Sequence, residues 1–252
     1  MELELTAYFI ICPLIFLAGF IDAIAGGGGL ISIPAYLFAG LPPHFALGTN
    51  KLSSTIGTLI AAFRYYKNGF TDIAVCIPSA LFALVGSFIG AQITLLINEN
   101  VLQKTLLVLL PIIAVYILKN KNLTIIKNQF TRKKIFVYSS VISFIVGAYD
   151  GFFGPGTGTF LVIAFIGIAH INPRIAAGNA KIINLSSNIA GLSVFLYNGY
   201  VSVTLGLCAG IFSILGSYIG AGLAIKKGSN VIRYAILFVL SLLFVKMVWD
   251  MM

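Results

Sequence analysis

Apolar runs broken by short glycine-, proline- or charge-bearing interruptions follow one another along the whole chain. They fall at 6–25, 30–39, 44–63, 73–97 and 101–118 in the first half, and at 135–150, 158–170, 174–196, 201–225 and 229–249 in the second. A helix needs about 20 residues to cross some 30 Å of hydrocarbon, so runs 30–39 and 158–170 are too short to cross alone. Each follows a glycine-rich break, Gly26-Gly27-Gly28-Gly29 in one case and Gly154-Pro155-Gly156-Thr157-Gly158 in the other. The pattern predicts an all-α polytopic membrane protein, in which each half has a Gly-broken first segment or hairpin plus three spanning helices.

The two halves are copies. Asp22 before the first break returns as Asp150 before the second, an offset of 128 (150 − 22). Gly48-Thr49-Asn50-Lys51 returns as Gly178-Asn179-Ala180-Lys181, Asn68-Gly69 as Asn198-Gly199, and Gly86-Ser87-Phe88-Ile89-Gly90 as Gly216-Ser217-Tyr218-Ile219-Gly220, all at an offset of 130 (181 − 51). An internal duplication with broken apolar segments and charges at membrane depth is the construction of many secondary transporters. The expected organisation is a membrane repeat over 1–118, a basic cytoplasmic linker over 119–134, and a second membrane repeat over 135–252.

Charge chooses between two topologies. If each break is a kink, each half crosses four times and the repeats are parallel, with nine Lys and Arg inside and five outside. If each break is the tip of a hairpin, each half crosses three times and the repeats are inverted. Twelve cations then face the cytoplasm (Arg64, Lys67, the linker's six, Arg174, Lys226, Lys227 and Arg233), against Lys104 and Lys246 outside. The positive-inside rule favours the inverted arrangement.

Composition narrows the class further. Only 9% of residues are charged and the mean hydropathy is +1.03, whereas a soluble domain carries about a quarter charged residues. The net charge of +9 is explained by basic loops beside apolar spans, six of whose cations are Lys119, Lys121, Lys127, Arg132, Lys133 and Lys134, so no nucleic-acid partner is expected. Met1-Glu2-Leu3-Glu4-Leu5 lacks the cationic start of a signal peptide. Cys12, Cys76 and Cys208 lie in apolar runs without ligand spacing, so neither a disulfide nor a metal site is expected. His44 and His170 flank segment ends as interface residues, and the Gly-x-x-x-Gly spacings mark close helix contacts. With no nucleophile–base, phosphate-loop or metal motif, neither an enzyme nor a cofactor is expected.

The chemistry sits at the breaks and in the segments after them. Glycine-rich backbone at membrane depth survives only against protein or a water-filled cavity, so the two breaks should face one another or a shared cavity. Gly27, Gly28 and Gly29, and Gly156, Thr157 and Gly158, can turn several N–H groups toward one point at the start of a short helix, where an anion is favoured; their other use is close helix packing. Lys51 with Thr55, and Lys181 with Asn184 and Asn188, form polar stripes at helical spacing. Asp22 and Asp150 are costly at this depth. They either carry a proton, because burial disfavours the charged carboxylate, or cap the breaks and pair with lysines, an Asp–Lys pair inside each repeat being the plainest structural role.

The stretch Gly19-Phe20-Ile21-Asp22-Ala23-Ile24-Ala25-Gly26-Gly27-Gly28-Gly29-Leu30-Ile31-Ser32-Ile33-Pro34, followed by Gly48-Thr49-Asn50-Lys51, closely resembles the first repeat of the TauE/SafE sulfite-exporter family. Gly147 to Gly158 and Gly178 to Lys181 are similar to its second repeat, so the resemblance covers nearly the whole chain. It implies a multi-pass permease of a bacterial-type inner membrane for sulfite, sulfoacetate or another sulfonate. The second copy departs from the first, with Asn179-Ala180-Lys181 against Thr49-Asn50-Lys51, which leaves open whether Asn179 serves in the place of Asn50.

The expected function is therefore the movement of a small sulfur-containing anion by alternating access at a midplane site between the repeats. Gly27, Gly28, Gly29, Gly156, Thr157 and Gly158 would supply break donors, Lys51 and Lys181 charge, and Asn50, Ser54, Asn179 and Asn184 hydrogen bonds. Asp22 and Asp150 would tune the site or carry a proton. The alternatives are a cation- or proton-coupled carrier built on the Asp pair, and a non-transporting membrane subunit. Expected partners are the small anionic solute and the lipid bilayer, and a homo-oligomer is compatible with every reading.

Overall fold

The computed structural model describes residues 5–102, 104 and 130–227. The apolar segment expected at 229–249, nearly all of that at 101–118, and most of the basic linker lie outside the described residues. The described chain is helical: α1 (Leu5–Ala25), α2 (Gly29–Phe38), α3 (Pro43–Lys67), α4 (Ile73–Leu95), α5 (Arg132–Phe152), α6 (Thr157–Gly167), α7 (Pro173–Tyr197) and α8 (Val203–Lys227). Of these, α1, α4, α5 and α8 are long and apolar enough to cross a membrane. The helices α3 and α7 are as long but more polar, because they carry the buried Asn, Ser, Thr and Lys side chains of the centre.

Local sequence sets the boundaries in the same way in both halves. Pro43 and Pro173 open α3 and α7 in the first turn, where a missing N–H is harmless, and the Asn172 side chain accepts from Arg174 N–H at 3.1 Å. Both helices end at an Asn-Gly pair whose glycine is left-handed, Gly69 and Gly199 each at φ +75°. The two turns bond identically: Phe70 N–H reaches Tyr65 O at 3.0 Å, and Tyr200 N–H reaches Phe195 O at 2.9 Å. The breaks use the same freedom, with Gly26 at φ +83°, Gly154 at +92° and Gly156 at +81°.

Past each break the chain doubles back. Gly28 packs on Ala18 and Asp22, and Tyr36 clusters with Ile11 and Ile15, so α2 returns antiparallel along α1. Likewise Tyr149 donates to Pro155 O at 2.5 Å, and His170, beyond α6, stacks on Phe130 before α5 with ring centroids 4.1 Å apart. Two glycine-seamed helix pairs hold the rest. Gly216 and Gly220 press on the backbone of Phe16 and Phe20, and Gly147 and Gly151 on Ala83 and Ser87, which makes α1 parallel to α8 and α4 parallel to α5. Without cohesion between apolar side chains to drive association in lipid, such small residues allow close backbone approach.

The central helices α3 and α7 are antiparallel, with Gly48 against Phe195 and Tyr200, Lys51 against Asn188 and Gly191, and Gly178 against Phe70. Leu52, Ile56 and Gly57 follow Gly206, Gly210 and Ser213, so α3 runs with α8 and α1; Cys76, Ala80 and Ser87 follow Asn179, Ser186 and Ser187, so α4 runs with α7 and α5. These directions collect Arg64, Lys67, Arg132, Lys133, Lys134, Arg174, Lys226 and Lys227 at one end of the bundle. There Arg132 pairs with Asp72 at 3.5 Å, Arg64 donates to Tyr218 O at 2.5 Å, and Arg174 lies 5.5 Å from the Phe70 ring. Outside the interior pair Lys51 and Lys181, the described cation at the other end is Lys104.

Candidate solute site between the two halves

The two broken hairpins meet at their tips. Thr159 N–H donates to Gly26 O at 3.3 Å and its hydroxyl to Ala25 O at 2.8 Å, while Gly158 lies so close to Gly26 that neither position has room for a Cβ. Gly29 packs on Pro155 in the same layer. Backbone that hydrocarbon would leave unpaired is thus placed against other backbone.

Four charges flank this junction, and they pair across the halves. Lys51 Nζ sits 2.6 Å from Asp150 Oδ2, and Lys181 Nζ sits 2.9 Å from Asp22 Oδ2 and also donates to the Asp22 carbonyl. The expectation of an Asp–Lys pair within each repeat is corrected here: each lysine reaches the aspartate of the other half. The reason is the antiparallel α3/α7 core, which carries each lysine past the junction to the opposite hairpin. The aspartates also cap their own breaks. Asp22 Oδ1 accepts from Gly28 N–H at 3.3 Å, and Asp150 Oδ1 accepts from the Thr157 hydroxyl at 2.8 Å. Two of the donors expected to cradle a solute anion, Gly28 N–H and the Thr157 hydroxyl, therefore already hold an anion, the carboxylate of the same hairpin.

A small polar cavity lies between the paired charges. From the first half it is lined by Asp22, Gly26, Gly29, Asn50, Ser54 and Thr58, and from the second by Asp150, Gly154, Thr157, Asn184 and Asn188. Asn50 Oδ1 accepts from Ser32 at 2.5 Å and from Ser54 at 3.3 Å. Asn188 Nδ2 donates to Asn184 Oδ1 at 3.1 Å, and Asn188 Oδ1 accepts from Lys51 at 3.2 Å. The lysines stand behind the carboxylates and do not line the cavity. A second polar cleft, bounded by Ser32, Ser53, Ser213 and Ser217, shares Asp22, Ser54 and Thr58 with the first. The two ion pairs differ in exposure: the Asp150 side chain is 3% exposed and that of Asp22 is 18%.

Of the residues singled out from sequence, Asp22, Gly29, Asn50, Ser54, Asp150, Thr157 and Asn184 border this cavity, with Lys51 and Lys181 one contact behind. Gly27, Gly28, Gly156 and Gly158 shape or pack the hairpin tips outside its lining. Asn179 lies elsewhere. Its Oδ1 accepts from Asp72 N–H at 2.8 Å and from the Cys76 thiol at 3.2 Å, at the start of α4. The counterpart of that bond is Ser202 N–H to Thr49 Oγ1 at 3.0 Å, so Asn179 is the twin of Thr49 and the twin of Asn50 is Ala180. Asn179→Ala should lower stability by about 1 kcal/mol, the net worth of an ordinary hydrogen bond, and leave solute-induced stabilisation unchanged. Thermal unfolding with and without solute checks this.

Sequence reasoning did not assign Thr58, Gly26 or Gly154 to the lining, nor Ser32 beside it, and it put Asn188 on a lysine stripe without naming it a site residue. The four-residue spacing Asn50-Ser54-Thr58, matched at an offset of 130 by Asn184 and Asn188, is the signal that points to them.

Two hairpins broken at left-handed glycines, touching tip to tip and each ion-paired to the central helix of the other half, define in this apolar helical bundle a multi-pass membrane protein with a duplicated broken-helix core. The chain belongs to the sulfite exporter TauE/SafE family, whose profile matches residues 11–247. It is 37% identical to a Sinorhizobium protein described as a probable membrane transporter, over 93% of this chain and 90% of that one. Proteins of Haemophilus influenzae and Escherichia coli with the same description are each 35% identical over 93% of this chain, covering 92% and 87% of their own lengths. No solved structure matches the chain.

Proposed function

We propose that this protein, a membrane transporter of the TauE/SafE family, moves a small sulfur-containing anion across the cell membrane at the cavity between its halves. Sulfite, sulfoacetate and other sulfonates are the candidate solutes. The halves act as inverted repeats, with the basic end of the bundle in the cytoplasm. Helix directions support this: α1, α3 and α8 run one way and their counterparts α5, α7 and α4 the other. The collection of cationic helix ends on one side agrees with the positive-inside rule.

The observation that carries the anion reading is the pair of crossed, buried lysines beside a cavity rich in amide and hydroxyl groups. Two lysines and two aspartates make the resting site neutral. An incoming anion takes a lysine only if a carboxylate yields it, by moving away or by accepting a proton. Movement of one half against the other would shift that competition between Lys51–Asp150 and Lys181–Asp22, exposing the site to each side in turn.

Purified protein should be stabilised by one sulfur oxyanion and not by chloride or acetate, by about 2.7 kcal/mol at a hundredfold excess over the dissociation constant. In proteoliposomes, Lys51→Ala and Lys181→Ala should each lower flux per folded molecule about tenfold to a hundredfold, the worth of a charge-assisted hydrogen bond, and Lys51→Ala should also cut the folded yield because it strands Asp150. Flux unchanged in both variants would remove the anion assignment. Flux of a cation in their place would favour a carrier built on the aspartates.

A further inference from the structure

In the second half, the wedge between α4, α5 and α7 at the basic end holds polar groups that the protein itself does not satisfy. The hydroxyls of Ser79, Ser139, Ser140 and Ser143 and the amide nitrogen of Asn179 are buried without a hydrogen-bond partner among the described residues. Ser79, Ser139, Ser143 and Asn179 are fully buried. The parallel register that sets Gly147 on Ala83 and Gly151 on Ser87 places Ser143 beside Ser79, with Ser139 and Ser140 one turn nearer the Asp72–Arg132 pair. Buried polar groups are satisfied in the great majority of cases, so this many orphans in one wedge calls for a cause.

The first half supplies the contrast. Its equivalents of Ser139, Ser143 and Ser79 are Ile11, Ile15 and Ala209, and these pack around Tyr36 in an apolar cluster. The Tyr36 position stays aromatic: Phe165 O accepts from Ile171 N–H as Tyr36 O accepts from Leu41 N–H, and Phe165 is likewise fully buried. The halves therefore differ not in the ring but in the wall beside it, which in the first half is made of branched aliphatics and Ala209. The corresponding helix contact at the basic end is walled by small hydroxylated side chains, which suit contact with water or a hydrated anion and not a permanent seal.

We propose that the α4–α5–α7 wedge is the solute-access vestibule of the basic face, shut in this conformation and lined in the open one by Ser79, Ser139, Ser140 and Ser143, whose hydroxyls then bond water and the passing anion, with Asn179 at its edge. The α5–α6 hairpin is the element that must swing, because α5 carries three of the serines and Asp150. The inference rests on the transport reading above, and it adds which face opens, between which helices, and onto which side chains.

The test is thiol accessibility in a protein with Cys12, Cys76 and Cys208 replaced by Ala. Ser139→Cys and Ser143→Cys are compared with their counterparts Ile11→Cys and Ile15→Cys, in proteoliposomes treated on either side with a membrane-impermeant methanethiosulfonate. The serine positions should react from the basic face at least about tenfold faster than the isoleucine positions react from either face. Reaction no faster than theirs, or only from the opposite face, overturns the proposal. If the cysteine-free protein does not fold, Ser79→Ala/Ser139→Ala/Ser143→Ala in the native background decides. Removing orphan hydroxyls should raise the thermal midpoint of the shut form and slow flux, and an unchanged midpoint with unchanged flux overturns the vestibule. Labelling needs no solute, so loss of the anion reading would leave its result standing. A negative labelling result would in turn leave the lysine variants' flux defect in place.

Discussion

Asp150→Asn is expected to yield little folded protein, whereas Lys51→Met/Asp150→Asn should fold and insert but carry no solute. The single change strands a lysine that is 2% exposed, 2.6 Å from where its counter-ion stood. Breaking a buried pair from one side costs about 3–5 kcal/mol, which takes a large share of a protein's stability. Removing both charges replaces the pair with side chains of similar size, and such replacements are close to neutral. Monodisperse yield after detergent extraction reads the first effect, and proteoliposome flux reads the second. Recovery of flux along with folding in the double variant would show that the Lys51 pair serves architecture alone. Asp22→Asn should be milder, since Asp22 is more exposed and its backbone carbonyl still accepts from Lys181.

Gly26→Ala should be more damaging than any other single methyl added to the described chain, with a loss above about 4 kcal/mol and no recoverable flux. Two effects combine. The position has φ +83°, which L-residues adopt only with strain, and the added Cβ would run into the backbone of Gly158 and Thr159. Backbone cannot rotate aside as a side chain can, so the hairpin tips would have to separate. Gly69→Ala provides the control: its φ is +75°, but open space surrounds it, and it should lose only about 1 kcal/mol. Thermal midpoints of the two variants side by side separate strain from collision. Similar midpoints would mean that the tips do not need to touch.

Much of the architecture was legible in the chain. Apolar runs and Gly or Pro interruptions located α1 to α8 to within a few residues, because hydrocarbon demands satisfied backbone and the helix boundaries follow local chemistry at Pro43, Asn68-Gly69 and their counterparts. The meeting of the two breaks was also legible, since unpaired backbone at depth has few refuges. Which lysine meets which aspartate was not. A duplicated motif states that two Asp and two Lys exist, but both pairings satisfy the same sequence, and only the antiparallel docking of α3 and α7 decides. The role of Asn179 was hidden for a related reason. An amide two places before a lysine resembles Asn50 in composition, while position in the repeat makes it the twin of Thr49, a residue that anchors the neighbouring half's turn. The cavity's share of Thr58 and Asn188 was in view as spacing, yet nothing in spacing alone says which face of a polar helix looks inward.

The crossing of the ion pairs also bears on how the chain is made. Synthesis delivers the first half to the membrane before the second exists, and at that stage Asp22 and Lys51 lack the oppositely charged partners they have in the finished fold. Their matches, Asp150 on α5 and Lys181 on α7, lie 99 (150 − 51) and 159 (181 − 22) residues later in the sequence. An unpaired carboxylate or ammonium in lipid costs a few kcal/mol on the mildest scale. The nascent first half must therefore hold both charges near water or near the insertion machinery until α7 arrives, and final docking of the two halves comes late in biogenesis. A chain truncated before α7 would leave those charges unmatched and would be a natural target for membrane quality control.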